Sequence, residues 1–162
     1  MFKTELFNTS PEAWEGIKDA IVGLEQDAFG ENAFPAEELA ADFLNEKDII
    51  VLLKDEREGV IGFTYAKPIE IAEPTRADEK GETAYLWNIV IDKNYRGRHL
   101  TPVLFGRMEE ELKKMGYRYM ELDAVTANNF AANIEKAYRD RILKTLPHDS
   151  RWGPQVYFRI RL

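Results

Sequence analysis

The chain contains no cysteine. Disulfide staples, thiolate zinc sites and a covalent acyl-cysteine intermediate are therefore excluded. Histidine is scarce as well. The two present, His99 and His148, are too few and too far apart in sequence to suggest a metal site. No apolar run approaches the roughly 20 residues of a membrane span. No signal-like apolar segment opens the chain, and no repeat or low-complexity tract interrupts it. The glycine patterns of a P-loop, a dinucleotide site and a serine-nucleophile elbow are also missing. The expectation is a soluble, cytoplasmic chain with no metal and no membrane association.

What is present points to a packed core. Of 162 residues, 44% are hydrophobic and 12% aromatic, enough for one domain spanning residues 1–162. The net charge of −7 is unevenly spread: residues 1–60 carry 5 basic against 15 acidic side chains, whereas residues 61–162 carry 17 against 14. An acidic first half repels a phosphate backbone, so a nucleic-acid partner is not expected. The more basic second half is suited to one compact anionic ligand.

The hydrophobic pattern orders the elements. Phe2, Leu6 and Phe7 suggest a short edge strand, and Thr9 to Glu12 reads as a capping box with Pro11 in the first turn of a helix carrying Trp14, Ile17, Ile21 and Leu24. A second helix starts near Pro35. Ile49 to Leu53 is a continuous apolar run, as expected of a strand buried on both faces, and a polar turn at 55–59 leads back into Val60 to Tyr65. Charged residues 70–83 read as a loop, followed by a strand from Ala84 to Ile91. Thr101 and Pro102 then open a helix whose stripe is Leu104, Met108, Leu112 and Met115, with Gly116 ending it. Tyr117 to Val125 is a fifth strand, Asn128-Asn129 opens a helix that reaches Tyr138, Pro147 to Ser150 reads as a loop, and Gln155 to Leu162 is the last strand. The order predicts an α/β (α+β) fold: a mixed, mostly antiparallel central sheet flanked by helices.

Between the fourth strand and the third helix lies Asp92-Lys93-Asn94-Tyr95-Arg96-Gly97-Arg98-His99-Leu100-Thr101-Pro102. A basic, Gly-containing loop at a helix start is a place to hold phosphates, because free amides and the helix dipole both favour an anion there. Ile89-Val90-Ile91-Asp92, then Asn94-Tyr95-Arg96-Gly97-Arg98, and the later Asn128 to Tyr138 helix together resemble the GNAT superfamily of acyl-CoA-dependent N-acetyltransferases. Element order carries the resemblance over essentially the whole chain, and the sharp motif spans about a dozen positions. The family's two loop glycines fall at His99 and Thr101, and Pro102 removes an amide.

The resemblance implies an acyl-CoA N-acyltransferase-like fold and an acetyl group moved from acetyl-CoA to a primary amine, small-molecule or peptide, by direct transfer in a ternary complex. It implies that Ile89, Val90 and Ile91 meet the pantetheine arm and that Arg96, Gly97, Arg98, His99, Leu100 and Thr101 hold the pyrophosphate. Asn129 is then a further cofactor contact, Trp87 and Asn88 face the acceptor, and Tyr138 is the general acid. Tyr138 equally continues the apolar face of Phe130 and Ile134, Trp87 equally fills a sheet face, and Asn128 or Asn129 equally serves as a helix cap. Glu82 and Asp123 are weaker base candidates, and His148 reads as part of a surface turn. A homodimer is common in the family. The alternative is a non-catalytic acyl-CoA-binding or regulatory module of the same fold, suggested by the replaced glycines.

Overall fold

Proline sets where the first helix begins. The residue before a proline is pushed to extended backbone, which is also the N-cap conformation. Ser10, not Thr9, therefore caps α1 (Pro11–Phe29), at φ −157° and ψ 155°, its hydroxyl accepting from the Ala13 amide. The structure, a computed structural model, describes all 162 residues. Its elements run β1 (Phe2–Leu6), α1, α2 (Ala36–Phe43), β2 (Ile49–Asp55), β3 (Gly59–Pro68), α3 (Ile69–Ala72), β4 (Thr83–Ile91), α4 (Thr101–Lys114), β5 (Tyr119–Val125), α5 (Phe130–Tyr138), β6 (Ile142–Ser150) and β7 (Gly153–Arg161). The result is a mixed α/β fold of seven strands. The β1–β2, β2–β3, β5–β7 and β6–β7 ladders are antiparallel and β4–β5 is parallel.

The chain forms two compact units. The first holds residues 1–67 and 87–111, the second residues 68–86 and 112–162. In the first, β1, β2, β3 and the second half of β4 lie in that order. Ile49 to Leu53 is buried throughout, as its unbroken apolar run requires. The core centres on Phe43, whose ring meets those of Phe7, Trp14, Phe63 and Tyr65 at centroid distances of 5.1 to 5.8 Å. Gly62 is a point of close approach: a Cβ there would sit 2.9 Å from the Val90 carbonyl oxygen.

In the second unit the order is the first half of β4, then β5, β7 and β6. Helix α5 packs on β5 and β7, burying Ala131, Ile134 and Tyr138. The other face of these strands is polar. Glu121 is wholly buried there and accepts from Arg76 at 2.8 and 2.5 Å, from Arg159 at 2.6 Å and from the Tyr157 hydroxyl. Arg76 and Arg159 also hold Glu79, whose carboxyl is pulled down to about 2, chiefly by the Arg76 bond.

Three further expectations change. Residues 70–83 do not loop out freely: α3 and a 3-10 stretch, Pro74–Glu79, order them, with Arg76 anchored on Glu121. The turn expected at Pro147 to Ser150 is instead the end of β6, an outermost strand whose exposed side chains give no burial alternation. Proline is tolerated there because an edge strand can leave one donor position unpaired. Met115 lies just beyond α4 and is 50% exposed, while Leu104, Met108 and Leu112 form the buried stripe. The helix stops where expected, with Gly116 at φ 90° and the Tyr117 amide donating to the Leu112 carbonyl.

Candidate functional site

The loop after β4 is built from short local bonds. The Asp92 amide donates to the Ile61 carbonyl at 2.8 Å, and the Asp92 carboxylate accepts from the Asn94 amide at 2.8 Å, starting a single 3-10 turn, Lys93–Tyr95. Arg96 then returns to extended backbone and donates from Nε to the Ile91 carbonyl at 3.1 Å. The Arg98 guanidinium stacks 4.8 Å from the Tyr95 ring centroid and reaches the Asn94 carbonyl at 3.3 Å. Gly97 turns the chain at φ 75° and His99 at φ 56°. Histidine is among the side chains that tolerate this left-handed region, at a cost of roughly 1 kcal/mol. His99 thus makes without glycine a turn that glycine would make at no steric cost.

Leu100 is buried and plugs the loop into the first unit. Its carbonyl accepts from the Leu104 amide at 3.1 Å, the first bond of α4. No hydrogen bond within the protein occupies the amides of Arg98, His99, Leu100 and Thr101. Four amides without a partner in the protein, the N-terminus of a 14-residue helix and the exposed side chains of Arg96 and Arg98 therefore lie within one short segment. Each favours an anion with several acceptor oxygens.

The β4 residues before the loop have divided roles. Val90 is buried in the core, while Ile89 and Ile91 are half-buried. Trp87 is 37% exposed, with the Lys67 ammonium 5.3 Å from its ring centroid. Lys67 is itself tied to Asp42 at 2.6 Å and Asp48 at 2.8 Å. Asn88 is only 8% exposed, and its amide donates at 2.8 Å to Glu25, which also accepts from the Phe34 backbone amide. Burial pushes the Glu25 carboxyl up from its ordinary range, opposed by those two bonds. Asn88 thus ties β4 to α1 and to the segment leading into α2. Sequence periodicity places Glu25 on α1 but carries no signal that it is inside.

Asn129 and Tyr138 belong to the second unit and the loop to the first. Asn128 and Asn129 take φ 56° and 59°, and the Asn129 side chain makes no cap bond to α5. These asparagines serve the turn through their backbone, in the conformation asparagine tolerates best after glycine. Tyr138 is buried, with the Arg141 guanidinium 5.0 Å from its ring centroid.

The second unit also assembles side chains that no local motif announces. Asp123 on β5 accepts from the Tyr85 hydroxyl of β4 through one oxygen, and its other oxygen lies 2.5 Å from Nε2 of His148 on β6. Asp123 raises the His148 imidazole above its ordinary range, and burial followed by Asp123 raises the Tyr85 phenol. The signal that could have found the carboxylates is the alternation Glu121, Asp123 on one strand face; their partners are 38 and 25 residues away from Asp123 in sequence.

The model of the acetyltransferase (GNAT) family matches residues 14–138. No curated protein sequence matches the chain. Among solved structures, the ribosomal-protein-S18-alanine N-acetyltransferase of Escherichia coli is similar at TM-score 0.72 and 16% identity, over 99% of this chain and 94% of that one. The aminoglycoside 6'-N-acetyltransferase of Enterococcus faecium is similar at 0.69 and 16%, over 98% and 96%. The yncA protein of Salmonella typhimurium, solved with its cofactor acetyl-CoA, is similar at 0.72 and 13%, over 100% and 94%. A strand, a left-handed basic turn and a helix start with free amides lie inside the matched segment, and the chain belongs to the GNAT family of acetyltransferases.

Proposed function

We propose that the protein transfers the acetyl group of acetyl-CoA to a primary amine, directly and within one ternary complex. The observation that carries this reading is the set of free amides from Arg98 to Thr101 at the start of α4, flanked by Arg96 and Arg98. These residues fit a pyrophosphate: the donors are backbone groups already fixed by the Gly97 and His99 turns, so little ordering is needed on binding. In this reading Ile89, Val90 and Ile91 offer backbone to the pantetheine arm, and Asn129 is a further contact. Trp87 faces the acceptor, and Asn88 supports it from behind through Glu25.

The chemistry is a displacement at a thioester. The neutral amine nitrogen attacks the carbonyl carbon, the C–N bond forms and the C–S bond breaks; the thiolate takes one proton from the acid and the acetylated nitrogen gives one up, which restores the acid. Tyr138 is the proposed proton donor, since a phenol near pKa ~10 can protonate a thiolate whose conjugate acid is near ~8.5. No cysteine exists to carry the acetyl group as a thioester, which supports direct transfer. Acceptors of the kinds named for similar structures, a protein α-amine or an aminoglycoside, define the first panel to try.

Calorimetry with acetyl-CoA tests binding, and thiol release over an amine panel tests turnover. Binding weakened by Arg96→Ala and by Arg98→Ala is expected. Absence of acetyl-CoA binding at millimolar concentration refutes the proposal, and binding without turnover of any amine favours a non-catalytic acyl-CoA-binding module.

A further inference from the structure

Between Tyr95 and Arg98 the loop folds one side chain back onto the other. The Tyr95 amide donates to the Asp92 carbonyl at 2.9 Å, which fixes Tyr95 at the end of the 3-10 turn. Gly97, at φ 75°, then turns the chain. Arg98 returns with its guanidinium 4.8 Å from the Tyr95 ring centroid and donates from one terminal nitrogen to the Asn94 carbonyl at 3.3 Å. The Tyr95 ring is itself backed by β1. The Phe2 ring stands edge-on to it, with 5.8 Å between centroids and 82° between planes. Tyr95 is half-buried and Arg98 is exposed. Phe2, Tyr95 and Arg98 thus form one stack that runs outward to solvent, and all three belong to the first unit.

The stack leaves most of the guanidinium available. Arg98 has five N–H donors and uses one of them on Asn94. Acidic side chains stand close enough to compete for the rest. A recess of about 320 Å³ lies toward the turn between β2 and β3, and Glu58, Val60, Asp92, Tyr95 and Arg98 all line it. Neither Glu58 nor Asp92 accepts a hydrogen bond from Arg98; Asp92 accepts from the Asn94 amide instead. A planar guanidinium is attracted to an aromatic face, and fixing a long side chain beforehand lowers the ordering cost when a ligand binds. The Tyr95 ring therefore does two things for Arg98: it limits the side chain to one arrangement and holds it off the two carboxylates.

We propose that Tyr95, backed by Phe2, is a positioning residue that presents Arg98 to the pyrophosphate of acetyl-CoA. This rests on the reading of the loop as the acetyl-CoA site. Tyr95 touches no phosphate in this role; it acts through Arg98, whose fork of donors suits two phosphate oxygens at once. Strand β1 carries no loop residue, yet it enters ligand affinity through Phe2. Loss of the ring frees Arg98 to turn into the recess and pair with Glu58 or Asp92, which cancels the charge that the ligand needs.

Calorimetry with acetyl-CoA tests this without any acceptor. Tyr95→Leu keeps an apolar side chain against Phe2 but offers Arg98 no ring. It is expected to raise Kd about 3- to 10-fold, whereas Tyr95→Phe stays within about 2-fold of the wild type and Phe2→Ala raises Kd about 2-fold. Because Tyr95 acts through Arg98, Tyr95→Leu adds almost nothing to the loss already caused by Arg98→Ala. Glu58→Gln recovers part of the Tyr95→Leu loss, and salt at about 0.5 M shrinks it, as a displaced charge requires and a collapsed loop does not. Dephospho-acetyl-CoA lacks the 3'-phosphate but keeps the pyrophosphate, and it shows the same ratio of Kd between Tyr95→Leu and wild type. Melting curves separate these effects from unfolding. Wild-type affinity in Tyr95→Leu, or losses that add in full with Arg98→Ala, overturns the positioning role alone. A loss confined to the ligand that carries the 3'-phosphate overturns the assignment to the pyrophosphate. A wild-type protein that does not bind acetyl-CoA at millimolar concentration overturns the acetyl-CoA reading, and the positioning role with it.

Discussion

Replacing Glu121 by leucine is expected to be the most destabilising single change on the polar face of the second unit. Glu121 is 0% exposed and is the shared acceptor for Arg76, Arg159 and Tyr157. Its removal leaves two guanidinium groups facing an apolar side chain, with Glu79 as the one carboxylate they still share. Breaking a buried ion pair by deleting one partner costs about 3 to 5 kcal/mol. The two arginine side chains keep 24% and 20% exposure, so water recovers part of their solvation and the loss falls toward about 3 kcal/mol. With a urea slope of about 2 kcal/mol/M, the midpoint drops by about 1.5 M. The triple variant Arg76→Met/Glu121→Leu/Arg159→Met should regain at least half of that, because no guanidinium is then left against an apolar side chain and Glu79, which loses both arginines, is 24% exposed and can turn to water. Urea titrations followed by far-UV circular dichroism and tryptophan fluorescence read both. A midpoint shift below about 0.5 M for Glu121→Leu, or a triple variant weaker than the single one, refutes the view that Glu121 acts by compensating the two arginines.

Four other outcomes follow from the same structure. Gly62→Ala places a Cβ 2.9 Å from the Val90 carbonyl and should cost about 1 to 3 kcal/mol in a denaturant titration, as an over-packed contact does. His99→Gly should change stability by less than about 0.5 kcal/mol, the relief of left-handed strain being offset by a freer unfolded chain; His99→Val should lose about 1 to 2 kcal/mol and weaken acetyl-CoA binding. Because the Glu79 carboxyl is lowered from 4.5 to about 2, its contribution is present above the ordinary value and lost as pH falls toward about 2; acid titration of unfolding should show this limb, shallower in Glu79→Gln. Tyr138→Phe should keep the melting temperature within a few degrees yet reduce turnover; full activity in that variant removes Tyr138 from the mechanism.

Elements whose faces are one-sided or wholly apolar were readable before any coordinates. The run Ile49 to Leu53, the α4 stripe of Leu104, Met108 and Leu112, and the proline-led start of α1 each follow from local chemistry and appear at or within a residue of the expected place. Strand β6 was not readable, because an exposed edge strand has no buried side and therefore no alternation. The segment 70–83 was not readable either, because its order comes from Arg76 reaching Glu121, 45 residues away. The acceptor-facing assignment of Asn88 rested on resemblance; the bond to Glu25 is 63 residues long in sequence and leaves no local trace.

By itself the sequence determined the composition-driven facts: no thiol chemistry, an acidic first half, the order of elements, and a basic loop placed between a strand and a helix. These depend on residue type and on spacings of a few residues, which local sterics and periodicity translate directly. Tertiary structure alone decided that His99 takes the left-handed turn, that Asn88 and Glu25 face inward together, and that Tyr85, Asp123 and His148 from three strands meet in one hydrogen-bonded line. Those outcomes depend on strand register and on desolvation, which arise only when distant segments are brought within bonding distance.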